Sequence, residues 1–232
     1  EQPENLATAL ALPPVRRVAT ATTLAYGFGA VAYGVKDNGF GTFLLLFALL
    51  SAPPTLQAGA QRYEPLADAV RAALATATQA DAPPPIATLA ATFPESAQWV
   101  AKQQSRVARY LPDPIERDEL LYTVWYEAAR AGLPPDLVLA VIHVESRFRK
   151  YAVSTAGARG YMQVMPFWVD LIGTPEHNLF HLRTNLRYGT VILRHYLDIE
   201  QGDLVRALGR YNGSLGDPTY PNLVFAALNH YR

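Results

Sequence analysis

Leu137-Val138-Leu139-Ala140-Val141-Ile142-His143-Val144-Glu145-Ser146-Arg147-Phe148 decides how the chain is read. Eight residues from Leu137 to Val144 carry no charge, and a helix that is apolar all round belongs in a core. Pro134-Pro135-Asp136 marks its start, because proline is tolerated in a first turn. Glu145 ends the run. A carboxylate at the edge of a core is costly unless it is paired, protonated or used.

Working outward, the same grammar repeats. Asp113-Pro114 opens a helix with an N-cap and a first-turn proline, Leu120, Leu121, Val124, Trp125 and Ala128 form its apolar stripe, and Gly132 closes it. Upstream, Pro65 to Ala80 and Pro94 to Tyr110 read as two helices separated by the stiff Ala82-Pro83-Pro84-Pro85. Downstream, helices are predicted near Phe167–Ile172, Asn185–Ile199, Asp203–Tyr211 and Tyr220–Tyr231, with a short irregular segment near Val153–Gln163. No segment alternates as a strand, so the predicted class is all-α.

Composition narrows the function. The chain has 232 residues, 50% of them hydrophobic, with a formal net charge of +0. No global field favours nucleic acid, and no nucleic-acid role is expected. From His143 onward ten basic residues face seven acidic ones, a mild excess that reads first as solvated surface. Cysteine is absent, which removes disulfides, thiolate metal sites and a cysteine nucleophile. His177 and His181 stand at i, i+4 without a carboxylate motif around them, so no metal and no cofactor are expected.

Residues 1–60 differ from the rest. Phe43 to Leu50 is a short, intense apolar run followed by Ser51-Ala52-Pro53-Pro54 and Ala58-Gly59-Ala60, the parts of a secretory signal. The run is too short for a comfortable membrane span. Only Lys36, beside Asp37, lies near it as a basic flank, and no cysteine follows that could carry a lipid. Three readings stand: a start site set too early for residues 1–40, one unusual targeting segment, or a membrane hairpin of two apolar stretches within residues 18–50, turning at Asp37-Asn38-Gly39. The signal-like reading places the mature start at Gln61. The expected organisation is thus a targeting segment over 1–60, a helical lead-in over 61–112 and a catalytic domain over 113–232.

Three further motifs follow Glu145-Ser146-Arg147-Phe148. They are Gly157-Ala158-Arg159-Gly160-Tyr161-Met162-Gln163-Val164-Met165-Pro166, Asn185 with Gly189 and Tyr196-Leu197, and Tyr211-Asn212-Gly213-Ser214. In this order they resemble the soluble lytic transglycosylase (SLT) family, over roughly Asp113 to Arg232. Tyr161 departs from the family's usual leucine, which touches no catalytic position. The resemblance implies a goose-lysozyme-like helical lobe with a groove for a glycan strand. It implies cleavage of the β-1,4 bond between N-acetylmuramic acid and N-acetylglucosamine in peptidoglycan, leaving a 1,6-anhydromuramoyl end.

Glycosidic cleavage needs a proton on the leaving oxygen and a trap for the oxocarbenium-like centre, and most glycosidases supply two carboxylates. Here the motifs single out Glu145, while Asp170, Glu176 and Asp217 lack a comparable context. One acid fits a mechanism in which Glu145 protonates the leaving oxygen and then takes the proton of the muramoyl 6-hydroxyl as it attacks internally. Burial beside Met162, Met165 and Tyr211, the neighbours implied by the resemblance, would keep the acid protonated.

Ser154, nine residues after Glu145, matches a family serine placed to touch the substrate's N-acetyl group. Gln163 offers amide groups to sugar hydroxyls. Met162, Met165 and Asn212 are further substrate-binding candidates, and the Tyr211 hydroxyl would suit positioning of Glu145. Ser146, Gly157 and Gly160 are expected to shape the site's turns. Phe167, Trp168 and Tyr188 stand between sugar platform and core. The expected setting is the exported envelope or periplasm of a bacterium, with a glycan strand as partner, envelope or secretion-system proteins as further candidates, and a monomer favoured. A lysozyme-like hydrolase and a catalytically silent glycan-binding module remain the rival readings.

Overall fold

Every apolar residue from Leu137 to Ile142 is at most 2% exposed, and the helix that carries them runs Pro135–Ser146. Fully burying such a side chain is worth about 1.5–3 kcal/mol, so this helix organises the fold. The computed structural model describes residues 61–79 and 83–232. Among the described residues the helices are α1 (Asp68–Gln79), α2 (Ile86–Thr92), α3 (Pro94–Val107), α4 (Pro114–Arg130), α5 (Pro135–Ser146), α6 (Phe167–Ile172), α7 (Leu182–Ile199), α8 (Leu204–Asn212) and α9 (Thr219–Tyr231). Among the described residues all regular elements are helices, with two isolated antiparallel bridges, Val153 with Arg159 and Arg159 with Val164.

Local chemistry sets the helix ends. Asp113 Oδ1 accepts the amide of Ile115 at 2.8 Å, and Asp203 Oδ1 accepts that of Arg206 at 3.1 Å, each quenching an orphan N–H. Gly132 and Gly213 adopt positive φ just past α4 and α8, where left-handed backbone turns the chain back on the last carbonyls.

α5 lies in the centre, packed against α9 and α4, while α7 packs against α4 and α8. The lead-in helices are tied down by polar contacts as well as by packing. The Trp99 indole donates to Asp136 at 2.6 Å, Gln103 donates to Asp136 and to the Tyr231 carbonyl at 3.1 and 2.8 Å, and the Thr78 hydroxyl donates to the Ile172 carbonyl at 2.7 Å. His143 lies between the hydroxyls of Tyr110 and Tyr231, at 2.9 and 3.0 Å. Burial holds its pKa below the ordinary value, with the charge of Arg109 adding.

Sequence and structure differ in detail. α2 was not expected. Its seven residues are too few to display a period, yet Leu89 is buried in a small cluster with Trp125 and Ala129 of α4. α1 begins at Asp68 rather than Pro65, and α7 begins three residues before Asn185. The expected irregular segment is a loop held by backbone pairs, Arg159 N–H to Val164 O at 2.9 Å and Val164 N–H to Arg159 O at 3.0 Å. The targeting, hairpin and start-site readings fall within residues 1–60, outside the described residues; no described helix is long and apolar enough to cross a membrane.

Candidate active site

Glu145 sits in the last turn of α5 and is 5% exposed. Its Oε1 accepts the Tyr220 hydroxyl at 2.7 Å, delivered by the first turn of α9. Burial pushes the Tyr220 phenol well above its ordinary range, and the nearby charge of Glu145 pushes it further. Tyr220 therefore stays a donor. The chain then leaves α5 through two successive left-handed residues, Arg147 at φ 52° and Phe148 at φ 63°. Side-chain-bearing residues in this region cost on the order of 1–3 kcal/mol each and persist only where surrounding packing imposes them. Phe148 is buried against the rings of Tyr110 and Tyr231, and the Arg149 guanidinium returns to the Ser146 carbonyl at 3.0 Å. These contacts brace the turn that follows the acid.

The glycine- and methionine-bearing motif forms the loop Ala152–Pro166. Gly160 has φ 76° and lies against α7 so closely that a Cβ would run into Asn185 Nδ2 and the Leu179 carbonyl. Glycine is needed there for both conformation and space. Asn185, fully buried, donates to the carbonyls of Arg159 and Leu179 at 2.8 Å each and accepts the Met162 amide at 2.8 Å. Gly189, one turn further on, leaves room for Met162: a Cβ there would meet the thioether. Gln163 is itself left-handed at φ 48°.

Most of the anticipated residues gather here, several with duties other than those expected. Gln163 is buried, and its Nε2 donates to the carbonyls of Ala152 and Gly160 at 3.1 and 3.0 Å, so the amide N–H groups hold the loop. The Ser154 hydroxyl accepts the Ala158 amide at 3.1 Å and shapes the turn in which Gly157 takes φ 88°. Ser146 bonds back to the Ile142 carbonyl at 3.2 Å. Met162 is fully buried, Met165 partly so, and Asn212 is buried at the end of α8.

Tyr211 requires a correction. Its hydroxyl donates to the Met162 carbonyl at 2.7 Å, locking the loop to α8; the hydroxyl bonded to the Glu145 carboxyl belongs to Tyr220. Burial raises the Tyr211 phenol well above its ordinary range, the charge of Glu145 adds, and a hydrogen bond with Gln61 opposes the rise. Trp168 and Tyr188 are core residues, Tyr188 bonded to His177 at 2.7 Å. Phe167 is half-buried with Tyr63 edge-on at 5.8 Å. The other acids considered, Asp170, Glu176 and Asp217, are all exposed.

Two participants were missed. Tyr220 follows Asp217-Pro218-Thr219, which reads only as a helix start. Gln61 is 4% exposed and reaches the loop from more than a hundred residues away, its Oε1 accepting the Met165 amide at 3.3 Å and the Trp168 indole at 3.1 Å. No local signal announced either one.

Fold and site together define a helical, lysozyme-like domain with a buried carboxyl at the end of its central helix. Residues 123–219 match the family model of the transglycosylase SLT domain. Over 39 residues the chain is 54% identical to membrane-bound lytic murein transglycosylase C of Actinobacillus pleuropneumoniae serotype 5b (strain L20), and equally to the proteins of that name from serotype 3 (strain JL03) and serotype 7 (strain AP76). In each case the match covers 17% of this chain and 11% of the relative.

Proposed function

We propose that this chain is a peptidoglycan lytic transglycosylase of the bacterial envelope, with Glu145 as its acid and then its base. The observation that carries the reading is the buried carboxyl of Glu145 with the Tyr220 hydroxyl 2.7 Å from its Oε1. The family match and the names of the relatives support it.

The chemistry follows from one acid. Glu145 in its protonated form donates to the glycosidic oxygen as the bond from the muramoyl anomeric carbon breaks. The substrate's N-acetyl group stabilises the positive centre, as in substrate-assisted glycosidases. Glu145, now a carboxylate, takes the proton of the muramoyl 6-hydroxyl, whose oxygen closes onto the anomeric carbon. The nucleophile is already tethered, so its effective concentration is high and no bound water has to be positioned. Tyr220 donates to the carboxylate form and stabilises it between the two steps. Of the two methionines, Met165 keeps exposed surface to offer a glycan strand, and Ser154 keeps some as well. The exposure of Asp170, Glu176 and Asp217 favours this course over a hydrolase that positions water with a second buried carboxylate.

Digestion of purified sacculi tests the reading. The expected products carry anhydromuramoyl ends, one water lighter than the reducing ends a hydrolase would leave. Glu145→Gln should abolish their release. Equal turnover by Glu145→Gln and wild type would leave a glycan-binding module as the better reading.

A further inference from the structure

The structure assigns Gln61 as a positioning residue of the active site, built into it from outside the segment that matches the family. Its side chain ties the loop to α6. Oε1 takes the Met165 amide at 3.3 Å and the Trp168 indole N–H at 3.1 Å, while Nε2 lies 3.5 Å from the Gln163 carbonyl. Gln163, Met165 and Trp168 thus share one partner, which belongs to a segment preceding residues 123–219.

Three features make this contact more than a docked segment. Gln163 sits at φ 48°, and a strained residue keeps such a conformation only when its surroundings over-determine it. Met165 precedes Pro166, the N-cap of α6, and its amide is accepted by Gln61. Trp168 is buried, and a buried indole N–H must be satisfied. The neighbours of Gln61 secure its approach: Tyr63 meets Phe167 edge-on at 5.8 Å, and Glu64 pairs with Arg210 at 3.1 Å. Residues 61–64 therefore form a strap over the start of α6 and the end of α8, with Gln61 as the part that enters the site.

The catalytic side of this assignment rests on the proposed transglycosylase activity; its geometric side does not. The test uses the full chain carrying Gln61→Met, which keeps the length of the side chain and removes its hydrogen bonds. Two readouts are taken below the unfolding temperature, with circular dichroism confirming the fold. Hydrogen exchange should speed up over residues 161–168 and at the Trp168 indole. On sacculi, kcat should fall by roughly tenfold to a hundredfold while KM stays within about twofold, as expected when reacting groups are displaced and not removed. Gln61→Ala, which adds no bulk, serves if the methionine variant does not fold.

Unchanged exchange in a folded variant overturns the assignment. So does faster exchange with kcat unchanged, because the contact would then hold the loop without serving the reaction. If the wild-type chain releases no anhydromuramoyl ends, the proposed function falls, and the exchange arm alone decides whether Gln61 fixes the loop.

Discussion

Two buried glutamates, 18 residues apart in sequence, have been given opposite surroundings. Glu127 on α4 is fully buried and grips Arg187 of α7 with both oxygens, at 2.9 and 2.8 Å, while Arg130 adds a third contact at 3.0 Å. Glu145 on α5 is 5% exposed and meets a phenol whose own ionisation is suppressed by burial. Guanidinium groups pair with the first carboxyl, and a phenol hydroxyl donates to the second. The first arrangement ties two helices together and the second suits general acid–base work, so the surroundings distinguish the two acids where residue type and burial alone do not.

The most forceful way to break the comparison is to remove each acid in turn while keeping its shape. Glu145→Gln should lower muropeptide release on the order of 10²–10⁴-fold, the usual weight of general acid–base catalysis, with little change in the denaturant midpoint. Glu127→Gln should do the reverse. It leaves Arg187 buried without its full counter-charge and should cost about 3–5 kcal/mol in urea unfolding, with the surviving folded fraction still active. If both variants lost stability to the same extent, the distinction between the acids would collapse.

A finer test concerns the phenol. Tyr220→Phe keeps the packing and deletes the donor, at a cost of about 1.5–3 kcal/mol for a hydrogen bond to a charged partner. If that loss is felt mainly in the transition state, kcat should drop by about tenfold to a hundredfold. Tyr211→Phe instead unties the Met162 carbonyl from α8. Its effect should be seen first as faster hydrogen exchange in the loop and second as activity. A larger loss of kcat from Tyr211→Phe than from Tyr220→Phe would reverse the roles read from the hydroxyl geometry.

The smallest expected effect is a pH dependence of stability. The pKa of His143 lies below its ordinary value of 6.5 in the folded protein, mainly through burial. Below about pH 6.5 the unfolded chain takes up a proton that the native ring resists, so the unfolded state binds more protons and native stability falls with falling pH. Well above 6.5 the ring is neutral in both states and its contribution is flat. His195 is lowered in the same direction, again first by burial. Thermal unfolding followed from about pH 7.5 to 5.5 should show the decline, and His143→Gln should reduce its slope. An unchanged slope would mean that the Tyr110–His143–Tyr231 cluster does not resist protonation.

These residues also show what a sequence can disclose. The run Leu137–Val144 announced a buried helix because no other environment suits eight uncharged residues in a helical frame. Glu145 stood out because it ended that run, and Gly160 because a motif carried it. What stayed hidden was pairing across distance. Glu127 and Arg187 lie 60 residues apart, Tyr220 lies 75 from Glu145, and Gln61 lies 102 from Gln163. Each is an ordinary polar residue on its own helix or segment, and only the folded chain makes it a partner. The duties of Ser154 and Gln163 were also hidden, since a hydroxyl or amide that can bind a sugar can equally bond to a backbone group. Here the Ser154 hydroxyl accepts the Ala158 amide, and the Gln163 amide donates to the Ala152 and Gly160 carbonyls.

The central claim is that Glu145 alone supplies both proton transfers. The direct measurement is mass spectrometry of muropeptides released from sacculi by the wild-type chain and by Glu145→Gln. The account requires anhydromuramoyl ends from the first and none above background from the second. Reducing ends from the wild type, or anhydromuramoyl ends at equal rates from both proteins, would contradict it.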